Sequence, residues 1–337
     1  MAETANIAQI ASKISNDIFK AFFWESHPQQ DVNFECVLEE HKSQGGARKL
    51  THPADVVFHY FDPYLDKLVY LHTDLKSYKK SSIRQAKIRD ALISLSQTVA
   101  CCAVSDSWKQ KFLLTQNSKY EVRGLLFVAN HDNKAKGEFW RLLKGIAKAN
   151  LPVARGHTLH VLGPDQISNL FCIAADLKLQ VADKKAGAAY RFFYPDLTLW
   201  KRHTVDDARV AATIELLLSP YFIVRYPSVE DSDGTTVARR GSIVYYGRAG
   251  ETVQEFIYLL DALSRYQLIS SHEDLRIRVF SQNKSETIKN NFNQAKSTYC
   301  ETWHFSGPRE AEIQAITIDS IPMLAPNYSP DEIGWRE

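Results

Sequence analysis

The 337-residue chain has little of several things. No stretch approaches the ~18 consecutive apolar residues that span a bilayer. The first residues lack the basic-then-apolar pattern of a secretory signal. There are only five cysteines, Cys36, Cys101, Cys102, Cys172 and Cys300, an odd number with no CxxC spacing. That argues against a disulfide framework or a zinc ribbon and predicts reduced, mostly buried thiols. Together these absences predict a cytoplasmic protein without a membrane segment. There is no GxxxxGK[ST] and no GxGxxG, so the chain is not itself a P-loop motor. Formal net charge is +2, so no global basic field advertises nucleic acid, and any such binding must use local patches. The length predicts two domains or one large one.

What is present centres on residues 52–78. Val56 to Phe61 reads as one strand, 62–67 as a turn, and Leu68 to Tyr78 as a second strand. Pro63 presets a turn φ, and Asp62 can accept from the backbone that follows. A hairpin centred between Tyr64 and Leu65 pairs residues whose numbers sum to 129, which sets Asp55 opposite Asp74. Like charges so placed are destabilising, with Cβ atoms roughly 5 Å apart. A cation between them would resolve the conflict. Two carboxylates, the Leu75 carbonyl and waters suit Mg²⁺, with Mn²⁺ as a substitute. Lys76 shares a face with Asp74 and can position a water or stabilise charge on a phosphate. The plainer alternative is a surface hairpin with solvated ends.

The flanking sequence predicts an α/β sandwich of mixed sheet. Helices are expected over 5–23, over Asp31 to His41, from Ser82 with a Ser-x-x-Gln capping box, around Phe139 and from Asp165. Val122 to Asn130 and His157 to Leu162 read as strands. On the helix expected over Asp31 to His41, the acids Asp31, Glu35 and Glu39 stack one turn apart. Glu35, between Phe34 and Cys36, is the member best placed to be partly buried, with Glu39 as the alternate. His52, His59 and His72 lie near the hairpin and read as packing or hydrogen-bonding residues rather than ligands. Lys79, Lys80, Arg84, Lys87 and Arg89 gather just beyond the second strand, where a phosphate could be held.

These residues resemble the PD-(D/E)XK nuclease superfamily, the fold of many restriction, repair and phage-defence endonucleases. The match is Asp55, then Asp74-Leu75-Lys76, with Glu35 upstream. One departure is Ala54 between Pro53 and Asp55; the Asp62-Pro63 pair is taken as turn chemistry. The resemblance implies a restriction-endonuclease-like mixed sheet flanked by helices over 1–182. A connection over 183–204 and a second α+β domain over 205–337 would follow. In the connection, the aromatics Tyr190, Phe192, Phe193, Tyr194 and Trp200 are expected to pack between domains rather than stack on nucleic acid. In the second domain, Arg225, Arg239, Arg240, Arg248, Arg276 and Arg278 are candidates for an exposed basic sheet face.

The resulting expectation is a Mg²⁺-dependent endonuclease acting on DNA. Asp55, Asp74 and the Leu75 carbonyl would hold the metal, Lys76 would position the nucleophile, and Glu35 would hold a second metal or orient the water. Because targeting and motor motifs are lacking, family analogy suggests an effector of bacterial anti-phage defence paired with a helicase or NTPase. The alternative is a catalytically silent nuclease-like module that binds nucleic acid or scaffolds a partner.

Overall fold

The computed structural model describes residues 2–337 other than 44, 116–118, 136, 138, 148–150, 152, 154, 196–209, 327 and 329–337. The chain forms two compact units, residues 1–171 with 325–337, and residues 172–324. The first expected domain ended at 182, whereas this division falls between Phe171 and Cys172, inside a helix.

The first unit opens with α1 (Ala2–Asp17), whose Ile10, Ala11 and Ile14 are buried at helical spacing. The helix stops before Ile18, and a tighter turn, Phe19–Phe22, replaces its expected last turns. Strands β1 (Glu25–Ser26), β2 (Val32–Glu35), β3 (Thr51–Ala54), β4 (Val56–Asp62) and β5 (Lys67–Tyr78) follow. Helices α2 (Gln85–Val104) and α3 (Asp106–Phe112) lead to β6 (Tyr120–Asn130), α4 (Phe139–Ala147), β7 (Leu159–Leu162) and α5 (Pro164–Ala182). The main sheet runs β1-β4-β5-β6-β7. Its β1/β4 and β4/β5 pairs are antiparallel and its β5/β6 and β6/β7 pairs parallel, which makes it the expected mixed sheet.

One face of this sheet carries α2 and α4. Ile88, Leu92, Leu95 and Val99 of α2 pack on Leu126 and Val128 of β6 and on Phe139 and Ile146 of α4. Each such fully buried aliphatic side chain contributes about 1.5–3 kcal/mol. Gly124 is what lets the helix lie this close. A Cβ there would sit 2.5 Å from Leu159 Cδ2 and 3.0 Å from Leu95 and Val99. On the other face Phe19 stacks on Trp24 and meets Phe58 of β4 edge-on, and Tyr328 packs edge-on against Phe127 of β6.

Two expected helical features are corrected. The helix read over Asp31 to His41 is instead β2 followed by irregular chain, and β2 pairs with β3 in a separate two-stranded ribbon. Burial there alternates, with Phe34 and Cys36 inside and Asn33, Glu35 and Val37 outside. That is a strand's period of two, and it outweighs the four-residue spacing of the acids. The second correction concerns α2, which begins at Gln85 after a short turn over Lys80–Ser82. Arg84 stands at its N-cap without a side-chain bond, so Ser82 does not form the capping box.

In the second unit α6 (Ile214–Leu217) is followed by β9 (Tyr221–Tyr226), which pairs with β8 (Arg191–Phe192). β10 (Val229–Glu230) and β11 (Thr236–Ala238) form a small ribbon, and β12 (Gly241–Tyr246) joins the sheet. Helix α7 (Val253–Arg265), β13 (Asp274–Val279), α8 (Ile288–Trp303), α9 (Pro308–Gln314) and β14 (Thr317–Ser320) complete it, in the strand order β14-β13-β12-β9-β8. Phe192 and Tyr194 are buried, and Tyr194 Oη donates to Ala211 O and accepts from Thr213 N, so these two aromatics pack. Trp200 lies outside the described residues.

The arginines expected to form an exposed basic sheet face are largely engaged. Arg225 and Arg240 reach Glu273. Arg276 donates to Gln180, Lys185 O and Tyr226 Oη, and Arg278 pairs with the buried Asp176. Alternation did place the side chains of Arg276 and Arg278 together, but each meets acceptors of its own unit.

Candidate active site

The β4–β5 hairpin has the register its sequence predicts. Val56 pairs with Thr73, Val57 with His72 and Asp62 with Lys67, so every pair sums to 129. The turn is closed by Asp62 Oδ1, which accepts from the amides of Tyr64 and Leu65 at 2.9 and 3.1 Å. Asp62 is thereby spent on turn geometry.

Asp55 is the next residue outward, at the corner where β3 ends at Ala54 and β4 begins at Val56. Its own carbonyl accepts from the Asp31 amide at 2.9 Å, which ties the corner to the ribbon. Its carboxylate reaches across to β5, where Oδ2 accepts the Leu75 amide at 2.8 Å. A strand residue's N–H and C=O leave by the same edge, so the Leu75 carbonyl also faces the Asp55 side rather than β6. The Asp74 carboxylate lies close enough to that of Asp55 to act on its charge. Lys76 Nζ binds Asp74 Oδ1. In the β5–β6 ladder Asp74 pairs with Leu126 and Lys76 with Val128, so both side chains emerge on the face that carries α2.

Electrostatics match this geometry. Burial first, and then the facing Asp74 carboxylate, push Asp55 up to about 7. The Leu75 amide and Lys76 oppose this and do not overcome it. For Lys76, burial works against the charged form, but the Asp74 and Asp55 carboxylates outweigh it and raise the ammonium above its usual range. Lys76 is therefore a charged donor here. Two half-buried carboxyls set close together, beside an inward-facing main-chain carbonyl, are an all-oxygen donor set with negative charge to spare. That set fits a hard divalent cation.

Residues 1–166 match the family described as GAPS4 protein PD-(D/E)XK nuclease domain. This part of the chain is a PD-(D/E)XK nuclease domain. No curated protein matches the sequence. PD-(D/E)XK nucleases generally use divalent metals, in keeping with the oxygen donors at the hairpin.

Within the nuclease domain, Asp55, Asp74, Leu75 and Lys76 are brought together and Glu35 is not. Glu35 lies on β2 opposite Thr51, four pairs from the rung of Asp31 and Asp55, and its side chain is exposed. At about 3.3 Å per residue that places it roughly 13 Å along the ribbon. The alternate, Glu39, is also exposed, and its carboxylate meets Arg48 at 3.6 Å. Lys79, Lys80, Arg84 and Lys87 are exposed just past Tyr78, the last residue of β5.

The histidines divide in two. His72 is fully buried; its Nδ1 accepts from Trp108 Nε1 at 3.4 Å, which leaves Nε2–H to donate to Pro53 O at 3.0 Å. It fastens β5 to β3, and burial holds it down at about 4. His59 is buried against Tyr70, with Glu25 at 4.0 Å. His52 belongs instead to a buried group with Cys36, His41 and Cys101. Sequence reasoning missed that cluster, because its four members come from four separate places along 66 residues of chain.

Proposed function

We propose that the nuclease domain hydrolyses DNA phosphodiester bonds in a Mg²⁺-dependent reaction centred on Asp55, Asp74 and Lys76. We further propose that the chain is the nuclease effector of a bacterial anti-phage defence system and works with a helicase or NTPase partner. The observation that carries the reading is the convergence just beyond the last rung of the β4–β5 hairpin. There Asp55 Oδ2 accepts the Leu75 amide, the neighbouring Asp74 carboxylate helps push Asp55 up, and an ammonium sits on Asp74.

Asp55, Asp74 and the Leu75 carbonyl would hold the cation. When bound, it supplies a water of lowered pKa and neutralises charge on the scissile phosphate. The chain's own groups do the rest. The Leu75 amide fixes the rotation of the Asp55 carboxylate. Lys76, held charged by both acids, faces the same side and can donate to a phosphate oxygen or orient the attacking water. Lys79, Lys80, Arg84 and Lys87 supply exposed positive charge beside that strand end, where sugar–phosphate backbone would run. The family name supports the defence role. The lack of a motor motif in the sequence supports a separate partner.

The test is nicking of plasmid and cleavage of single-stranded DNA with Mg²⁺ or with EDTA. Asp74→Ala and Lys76→Ala are each expected to lower Mg²⁺-dependent cleavage by about a thousandfold, with an unchanged circular dichroism spectrum. Full cleavage by both variants would sink the assignment. Co-purification with products of neighbouring genes tests the partner, and full activity by a strictly monomeric chain alone would count against one.

A further inference from the structure

Beside the ribbon that ends next to Asp55 lies a second, chemically different cluster. Cys36 follows β2, His41 sits in the connection to β3, His52 is on β3, and Cys101 is on α2. All four are buried, and their four donor atoms lie within 4.8 Å of one another. We infer that Cys36, His41, His52 and Cys101 bind a structural zinc ion that fastens the β2–β3 ribbon to α2.

Two of the donor spacings match a tetrahedral site, and all six lie within 4.8 Å. With Zn–N near 2.0–2.1 Å and Zn–S near 2.3 Å, tetrahedral donors stand roughly 3.3 Å apart for N and N and roughly 3.5 Å for N and S. His41 Nδ1 is 3.2 Å from His52 Nε2 and 3.4 Å from Cys36 Sγ. The tautomer of His52 is set from outside the cluster. Thr98 Oγ1 gives its proton to Ser94 O at 2.9 Å, so at 3.1 Å it accepts from His52 Nδ1–H. That leaves the Nε2 lone pair aimed inward, the outer-shell arrangement that orients a metal-bound histidine. The Val37 amide donates to Cys101 Sγ at 3.3 Å. His41 Nδ1 has one proton at most and meets both His52 Nε2 and Cys36 Sγ, whose thiol also points at Leu38 O. A cation at the centre satisfies all three atoms at once.

Two thiolates and two imidazoles are soft-to-borderline donors, suited to zinc and unlike the oxygen set at Asp55 and Asp74. Four protein ligands leave no open position, so the ion is structural. The chain it braces, between β2 and β3, has little regular structure beyond one isolated bridge, Lys42 to Arg48. Closing that loop onto α2 stabilises the ribbon three residues before Asp55.

The test uses the full chain, purified without added metal and dialysed against EDTA. Elemental analysis should find about one zinc per chain, and X-ray absorption at the zinc edge should show two sulfur and two nitrogen neighbours. Thr98→Val keeps all four ligands but removes the acceptor for His52, and should weaken zinc about tenfold in competition with a chelating dye. Cys172→Ser and Cys300→Ser should leave zinc content unchanged. Absence of zinc, coordination without sulfur, or two fewer free thiols than the five in the sequence, marking a Cys36–Cys101 disulfide, would each overturn the inference. Because the readout is metal content, these outcomes are independent of whether Asp55 and Asp74 support cleavage.

Discussion

Each of the two units buries an aspartate against its sheet and surrounds it in opposite ways. In the second unit, Asp176 of α5 receives Arg278 through two bonds and Tyr245 Oη at 2.9 Å. Arg278 and Tyr245 are register partners on β13 and β12, so one rung supplies both donors. The charge is compensated, and the Arg278 guanidinium is raised above its usual range against the pull of burial. In the nuclease domain, Asp55 meets one amide, but its nearest ionisable neighbour is another carboxyl. The same residue type thus serves stability in one place and stores tension in the other. A buried acid with its cation already present is structural. An acid facing a second acid lacks that compensation.

Breaking either arrangement should have opposite signs. The largest effect is expected in the second unit. Asp176→Ala strands the Arg278 charge and should cost about 4 kcal/mol, read by denaturant unfolding of that unit. A smaller change is expected on acidification, through His72. Its folded pKa is lowered to about 4 from the usual 6.5, so its neutral form is part of the folded state. That contribution is complete above pH 6.5 and is lost as pH falls towards 4, by about 3 kcal/mol. The groups facing the ring are Trp108, Cys102 and, further off, Asp74. His72→Gln should flatten the acid limb of a stability profile recorded from pH 7 to 4.

Next in size, Asp55→Asn should abolish cleavage and yet stabilise the metal-free domain by about 2 kcal/mol. A carboxyl whose folded pKa is raised costs nothing below its unfolded value and increasingly more as pH climbs through about 7. The gain in melting temperature should therefore be present at pH 8 in EDTA and vanish at pH 4. A destabilised Asn variant at pH 8 would contradict the comparison. Smallest is Glu35→Gln. This exposed side chain lies far along the ribbon, and its loss should change Mg²⁺-dependent cleavage by less than about twofold.

How much of this was legible in the sequence follows from the range of each interaction. The hairpin register could be counted from a turn of six residues, because alternation and a short turn are local and geometric. That is why Asp55, Asp74 and Lys76 were found together. Glu35 was misplaced for an equally local reason. Acids four apart suggested a helical face, while Val32, Phe34 and Cys36 carried the alternation that the ribbon obeys. The Cys/His cluster could not be read at all. Cys101 reaches His52 only because α2 docks across the sheet, and no spacing in the chain encodes that contact. The arginines of the second unit were correctly placed on strands, but the acceptor of Arg278 lies 102 residues away.

The corner at Asp55 has a consequence for how the enzyme fails. The residue belongs to neither flanking strand: Ala54 closes one and Val56 opens the other. Its position is inherited from the small ribbon on one side and the five-stranded sheet on the other. The weaker of those supports melts first on warming. Heat inactivation is then a local event, with cleavage fading several degrees before the bulk of the helices and sheet unfolds.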